Sequence, residues 1–460
     1  MTLIQKTSLR AYRNFLHAQF ESMTGEVLVQ SYPYILNIDP ASVCQLRCPS
    51  CPTGVENESK RVRNPASLRE RVMMSTGFFD ALLDEIGEYL FVIMLYNWGE
   101  PLLHRELPAF IRKAKESQIG IEFHTNLSLR MDDARMEDLL LSGVDVIDAS
   151  LDGFSQETYQ TYRRGGNFEL AKTNITRLAA MRERLGLKTK IIWNFLVFRF
   201  NEHEIDTARR YCKRIGITFA RRKAFIANPD WLPRDRQNEA EELKNPAPPQ
   251  PKPANSGKNQ QPRPCAWHYN YSAINANGSV SPCCAIWDEA NDFGLIQPGT
   301  VSFRDVWNNN LYRKSRGAFA NKPVPGLANV DSLCLHCAFG PDVQNLYAYL
   351  DPDVIEQFHR VIGDKDPLLN EGFRLLSNRA SFLEFFTQHM GELFAQEHDL
   401  NIVRSVPQPV LGFPSGLMSI STKAYQSLKE KLKPYTARLF KRFPSLYYKG
   451  KALERRIFRT

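Results

Sequence analysis

Long apolar runs are missing from this 460-residue chain. The longest, LFVIMLY at 90–96, falls far short of the ~20 residues that cross a bilayer, which excludes a spanning helix. The start, MTLIQKTSLRAYRNFLHAQF, lacks the continuous apolar segment of a secretory signal. These two absences give a cytoplasmic protein as the expectation. There thiols stay reduced, and clustered cysteines read as metal or redox ligands rather than disulfides. Cysteine is itself scarce, nine in all. No repeat of fixed period is present. Hydrophobic content of 43% and charged content of 24% are ordinary for a globular protein. The length exceeds one core and implies two or three domains.

A one-sided charge is also missing from most of the chain. The net charge is +9, but residues 421–460 hold twelve Lys or Arg against two acids, Glu430 and Glu454. That segment carries +10 and leaves −1 for the rest. The basicity belongs to the tail and says nothing about what the body binds.

What is present is alternation. After an N-terminal extension over 1–33, residues 34–226 alternate strand and helix signals. YILNID (34–39), FVIMLYN (91–97), GIEFHTN (120–126), VDVIDASLD (144–152), KTKIIWNFLVFR (188–199) and ITFARRKAF (217–225) read as strands. Between them, 76–90, 106–117, 131–143, 168–186 and 202–216 have helical apolar spacing, with Ser75 or Thr76 as N-cap of the first. Near-continuous apolar strands alternating with helices predict an α/β fold with a parallel sheet covered on both faces, as a closed or partial barrel. Residues 227–264, with NPAPPQPKPANSGKNQQPRP at 245–264, read as a Pro-rich linker or flap. A small cysteine-bearing α+β unit follows over 265–340. A helical region covers 341–420, clearest at 381–396, and the basic tail 421–460 closes the chain.

Three of the nine cysteines lie in VCQLRCPSCP (43–52), at Cys44, Cys48 and Cys51. The stretch follows the first strand, on the barrel face where such folds carry chemistry. Structural zinc takes four closed ligands, and a cubane iron–sulfur cluster normally takes four thiolates. Three thiolates leave one iron open to substrate or cofactor. This C-x3-C-x2-C after a first strand resembles the defining motif of radical S-adenosylmethionine (SAM) enzymes. The resemblance implies a partial (β/α)6 barrel, a [4Fe–4S] cluster on Cys44, Cys48 and Cys51, and SAM chelated by the open iron. It further implies a 5′-deoxyadenosyl radical that removes hydrogen from a substrate C–H bond. NWGEPLL (97–103) is similar to the family's GGEP segment, which carries SAM contacts over to Gly99, Glu100 and Pro101. HTN (124–126), SLDG (150–153) and YRRGGNF (162–168) carry them over to Asn126, Ser150, Asp152 and Arg163. Ser50 stands where the family usually has an aromatic, so an edge contact with adenine is not carried over.

The remaining cysteines are Cys212, Cys265, Cys283, Cys284, Cys334 and Cys337. The run from Cys265 through Gly278 to Cys283, followed by CLHC at 334–337, resembles the SPASM/twitch extension of the same family. The resemblance implies one auxiliary [4Fe–4S] cluster on Cys265, Cys283, Cys334 and Cys337. Structural zinc is the competing occupant, although gaps of 17 and 50 residues are unlike compact zinc ribbons. Cys284 reads as an alternative ligand, as a thiol that returns hydrogen to a substrate radical, or as a small buried residue. Cys212 reads as core.

A closed cluster suits electron transfer, so the expected activity is dehydrogenase-like oxidation of a small molecule such as a sugar or aminocyclitol derivative. A reductant such as flavodoxin or ferredoxin is the implied partner. The base such an oxidation needs is sought among His104, His124, Asp148, Glu122 and Tyr96 near strand ends, with His124 the first choice. The alternatives are a peptide maturase or an epimerase. Only 33 residues precede the first strand, which is small for a peptide-recognition domain. A non-catalytic iron–sulfur or RNA-binding protein is the remaining class. The tail interleaves cations with Phe, Tyr, Leu and Ile, as segments on anionic membrane or RNA do.

Overall fold

The computed structural model describes residues 3–58, 69–224, 226, 228–239, 265–337 and 352–394. The Pro-rich segment at 245–264 and the basic tail lie outside them. Six strands run in parallel in chain order: β1 (Ile35–Ile38), β2 (Val92–Met94), β3 (Gly120–Thr125), β4 (Val146–Ser150), β5 (Lys190–Val197) and β6 (Thr218–Lys223). Helices α3 (Thr76–Ile86), α4 (Leu107–Glu116), α5 (Asp133–Leu141), α7 (Phe168–Arg184) and α8 (Ile205–Arg214) connect them. All are preceded in the chain by α1 (Leu9–Thr24) and α2 (Pro52–Glu58), and α6 (Gln156–Tyr162) precedes α7. Side-chain caps start several of these helices: Ser75 accepts from the Phe78 N–H, Asp132 from Arg135 and Asn167 from Leu170. No described helix is long and apolar enough to cross a membrane.

The sheet does not close. β6 is one edge, and at the other β7 (Tyr271–Ile274) pairs in parallel with β1, with Ile35 opposite Tyr271 and Ile38 opposite Ile274. β8 (Ser279–Ser281) and β9 (Gly294–Leu295) extend it antiparallel. The fold is thus a partial (β/α)6 barrel, and the second cysteine segment is built onto the barrel's own sheet.

Alternation divides each strand between two faces. Leu36, Ile93, Ile121, Phe123, Ile147, Trp193 and Phe195 pack under the connecting helices. There Phe79 of α3 stacks on Phe110 of α4 at 4.2 Å. The inner face is covered over part of its width. Ile35, Val92, Met94, Tyr271 and Ala273 pack against α1 and the helices Pro352–Ile362, Pro367–Leu375 and Arg379–Leu393. Tyr12 and Phe15 of α1 meet Phe358 edge-on at 5.0 and 5.3 Å. Arg13 is paired with Asp366 at 2.7 Å. The extension 1–33 and the later helical region, separate in sequence, therefore make one aromatic layer beneath β1, β2 and β7. Glu122, His124, Asp148, Asn194 and Arg222, on β3 to β6, have the inner-face parity but no place in that layer.

Candidate active site

The loop after β1 is seated from several sides. Asp39, wholly buried, accepts from the Gly99 N–H at 3.3 Å. Burial lifts its carboxyl to about 7, against the opposing pull of the Gly99 and Trp98 amides, Arg69 and Ser42. A Cβ on Gly99 would stand 1.4 Å from the Ala41 carbonyl oxygen, so this position admits only glycine. The next amide, Glu100 N–H, donates to Val43 O at 2.8 Å. Within the loop, Cys51 N–H donates to Cys48 O and Arg47 N–H to Arg164 O. Asn57 of α2 donates to Cys44 O and Leu46 O at 2.8 and 2.7 Å. Gln45 donates to Asn126 Oδ1 at 2.9 Å. The loop is therefore tied to the C-terminal ends of β2 and β3 and to the turn after α6.

Cys48 is buried and Cys44 and Cys51 half-buried, in an apolar pocket with Leu46, Tyr162, Phe198 and Leu232. Burial pushes the Cys44 thiol up to about 12, and the Glu100 carboxylate and the other two thiols push the same way. Cys48 rises to about 11, by burial first, with Arg163 opposing. Burial and mutual repulsion disfavour the thiolate forms here, so a bound cation is what would make these thiols into ligands. The donor set fits an iron–sulfur cluster with one ligand position left over.

The residues named from motifs gather around this loop, and most of their polar atoms are already engaged. Glu100 is buried and accepts from Leu102 N–H, Thr125 Oγ1 and Asn126 N–H at 3.0, 2.6 and 2.8 Å. Its side chain thus binds the β3 end to the Gly99–Pro101 turn. Burial raises its pKa despite those donors. Asp152, fully buried, accepts from Arg163 Nε at 2.5 Å and Leu196 N–H at 2.8 Å. Asn126 Nδ2 stands 3.8 Å from Cys44 Sγ. Ser150 ends β4, half-buried. Pro101 opens the short turn Pro101–Leu103.

The second thiol set converges too. Cys265 precedes the short helix Trp267–Asn270, Cys283 follows β8, and Cys334 and Cys337 flank one turn. Burial lifts Cys265 to about 11, with Cys337 adding to it. Cys334 is raised by burial, then by Cys283, Cys265 and Cys337. Four thiols around one point fit a closed cluster. Cys284 turns away: its partner is the Tyr271 hydroxyl. Cys212 lies wholly buried in α8. Cys334 Sγ stands 3.4 Å from His268 Nε2.

Of the histidine and carboxylate candidates, Glu122, His124, Asp148 and Tyr96 come together. His124 Nε2 lies 2.8 Å from Glu122 Oε1 and 3.8 Å from Asp148 Oδ2, and Tyr96 stacks on the imidazole at 3.7 Å. His104 does not join them; its ring is bonded by Met74 O and the Glu106 N–H on the outer face. Arg222, not picked out from sequence, donates to Asp148 at 3.1 Å. The signal available was its spacing on β6, two residues from Ala220 and so on the inner face.

Known proteins match along the same lines. Residues 38–212 match the model of the radical SAM superfamily, and residues 265–338 that of an iron–sulfur cluster-binding domain, SPASM. The PqqA peptide cyclase of Granulibacter bethesdensis is 25% identical over 175 residues, 38% of this chain and 42% of that protein. A probable GTP 3′,8-cyclase of Methanococcus maripaludis is 32% identical over 120 residues, 26% of this chain and 38% of that protein. The chain thus spans about two-fifths of the length of these curated relatives. The solved structure of Streptococcus suis SuiB bound to precursor peptide SuiA is 15% identical, with 68% of this chain and 72% of that chain covered at a TM-score of 0.45. The two matched domains imply [4Fe–4S] clusters and SAM as cofactors. With an open three-thiol loop after the first strand and a four-thiol set beyond the sixth, the chain belongs to the radical SAM superfamily and carries a SPASM domain.

Proposed function

We propose that this chain oxidises a small molecule by hydrogen-atom abstraction followed by electron transfer to its second cluster. The observation that carries this reading is the pairing of a three-thiol site with a four-thiol site in one sheet. Cys44, Cys48 and Cys51 would hold the open cluster, which would supply one-electron reductive cleavage of SAM and so the means of taking hydrogen from the substrate. The chain's own part is positioning and exclusion. Arg163, braced by Asp152, places a cation beside Cys48. The turn at Gly99, Glu100 and Pro101, with Asn126 and Ser150, forms the rim on which SAM would lie. Cys265, Cys283, Cys334 and Cys337 hold a cluster with no vacant position, suited to receiving the substrate's second electron. Oxidation of an alcohol also releases a proton, and we assign its removal, by these side chains or through an ion they hold, to the polar cluster Glu122, His124 and Asp148 on the inner face. A reductant such as flavodoxin or ferredoxin supplies the first electron. The aromatic layer under β1, β2 and β7 narrows the inner face, which favours a small substrate.

The match to PqqA peptide cyclase favours a second reading, a peptide-modifying enzyme on the same clusters. Anaerobic reconstitution with SAM and dithionite tests the common core. Iron should approach about eight per chain, and 5′-deoxyadenosine should form. No cleavage by fully loaded protein would sink both readings. A carbonyl product from an alcohol substrate against a crosslinked peptide then separates them. The basic tail supports contact with anionic membrane, which would be refuted if chains ending at 420 and at 460 bound anionic liposomes equally.

A further inference from the structure

We infer that Glu122, His124 and Asp148 form a binding site for one divalent first-row metal ion, of the Mn²⁺ or Zn²⁺ class, on the inner face of the barrel. Glu122 and His124 are two apart on β3 and therefore share a face. Asp148 is the cross-strand partner of His124 on β4, where opposed Cβ atoms stand ~5 Å apart. One nitrogen and two carboxylate oxygens, each from a different side chain, lie within 4.8 Å of one another. Such a mixed set suits borderline and hard divalent ions.

The ligands are also held from behind. Tyr96 lies flat on the imidazole, at 3.7 Å and 10° between planes. Arg222 donates to Asp148 Oδ2 at 3.1 Å. Partners of this kind orient metal ligands. An unmet demand points the same way. Asp148 is 0% exposed, yet its Oδ1 has no hydrogen-bond partner among the described residues. Asn37 Oδ1 and Asn194 Oδ1, 1% and 6% exposed and on the same face by strand parity, have none either. All three are acceptors, so Arg222 alone does not meet what this face can accept. Two carboxylates and one guanidinium leave one negative charge when the imidazole is neutral, as a ligand must be. A divalent ion reverses that charge. Three protein ligands leave coordination positions open, the pattern of sites that bind substrate rather than brace a fold. The open positions suit an oxygen of the substrate, whose hydroxyl becomes more acidic on coordination and passes its proton to water. That role rests on the small-molecule reading above; the metal site itself does not.

The test uses the full chain with both clusters reconstituted and oxidised, titrated anaerobically with Mn²⁺ while free Mn²⁺ is read from its six-line electron paramagnetic resonance signal. One equivalent should be taken up. Glu122→Gln and Asp148→Asn should each weaken uptake by at least the ~10-fold that loss of an outer partner costs. Nitrogen modulation in the pulsed spectrum of the bound ion should vanish in His124→Gln. That half-exposed position provides the decisive variant if Asp148→Asn does not fold. Absence of one-equivalent uptake, or uptake unaltered in the three variants, overturns the site. Binding of methylammonium without Mn²⁺ uptake overturns it in favour of a substrate amine. Failure of SAM cleavage with Mn²⁺ uptake intact would sink the enzymatic reading and leave the metal site standing.

Discussion

The two thiol sets differ by one ligand and by what surrounds it. At the first, three thiols sit in a loop tied to the ends of β2 and β3, with the Glu100 carboxylate near Cys44 and the Arg163 guanidinium near Cys48. At the second, four thiols are drawn from four points of one chain segment, and Cys334 meets a buried imidazole. The comparison teaches that ligand number sets what a cluster can touch, while the neighbours set how it is held. At the first site a turn that admits only glycine seats the loop; at the second a buried imidazole meets a sulfur.

Exchanging one thiol at each site breaks the comparison most completely. Cys48→Ala should abolish 5′-deoxyadenosine formation and leave about four irons per chain at the second site. Cys334→Ala should remove about the same iron and leave SAM cleavage measurable. Cys284→Ser should change neither, because that thiol faces Tyr271. If Cys284→Ser instead empties the second site, the assignment of Cys283 as ligand is wrong.

Gly99→Ala comes next. Its Cβ would meet the Ala41 and Val43 carbonyl oxygens at 1.4 and 2.9 Å, both backbone, so the turn must leave the loop. We expect several kcal/mol of local stability to be lost, on the order of the ~1–3 kcal/mol per severed buried hydrogen bond taken more than once. Iron analysis should show the first site unfilled and the second intact. An alanine variant that assembles both would show that Gly99 braces nothing.

Much of this contrast was legible in the sequence. The strands stood out as continuous apolar runs, and the thiol spacings marked both sites. Helix α1 did not stand out, because its polar faces are buried as well. Asn14 exchanges hydrogen bonds with the Tyr32 backbone, Gln19 donates to the Tyr34 hydroxyl, and Glu21 accepts from Gln30 and Ser31. With partners on every side, the helix shows no clean apolar stripe. Its aromatic neighbours Phe358 and Phe373 lie more than three hundred residues away in the chain. The pairing of β7 with β1 was equally hidden, since a parallel partnership across more than two hundred residues leaves no local trace. The inner-face cluster was half legible: alternation within GIEFHT placed Glu122 and His124 together, and only the register brought Asp148 opposite.

Asp39 sharpens the comparison through pH. Its folded carboxyl titrates at about 7, raised by burial, against ~3.9 in the unfolded chain. The folded state therefore binds the proton more tightly. Stability is fullest below the unfolded value and falls as pH rises toward 7, then levels off. Asn at this position keeps an acceptor for Gly99 N–H without the charge. Between pH 5 and pH 8 the native chain should lose about 2 kcal/mol more than Asp39→Asn. Denaturant midpoints at the two pH values decide it, and parallel behaviour would refute the burial argument.

The smallest effect concerns the second site alone. His268 is 1% exposed, and its Nε2 faces Cys334 Sγ at 3.4 Å. A thiolate only accepts, so the ring proton belongs on Nε2 and the N–H donates to sulfur. Burial, with Arg316 adding to it, holds the imidazole pKa down to about 3, so the donor is neutral across the physiological range. Hydrogen bonds to cluster sulfurs stabilise the reduced, more negative state. Removing one worth ~1 kcal/mol should lower a one-electron potential by on the order of 40 mV. His268→Phe should show that drop in a potentiometric titration of the second cluster, equally at pH 6 and pH 8, with His268→Asn recovering part of it. The first cluster's potential should not move. A His268→Phe protein with both potentials unchanged would mean that the contact braces Cys334 without tuning it. The difference between the two sites would then reduce to the count of thiols.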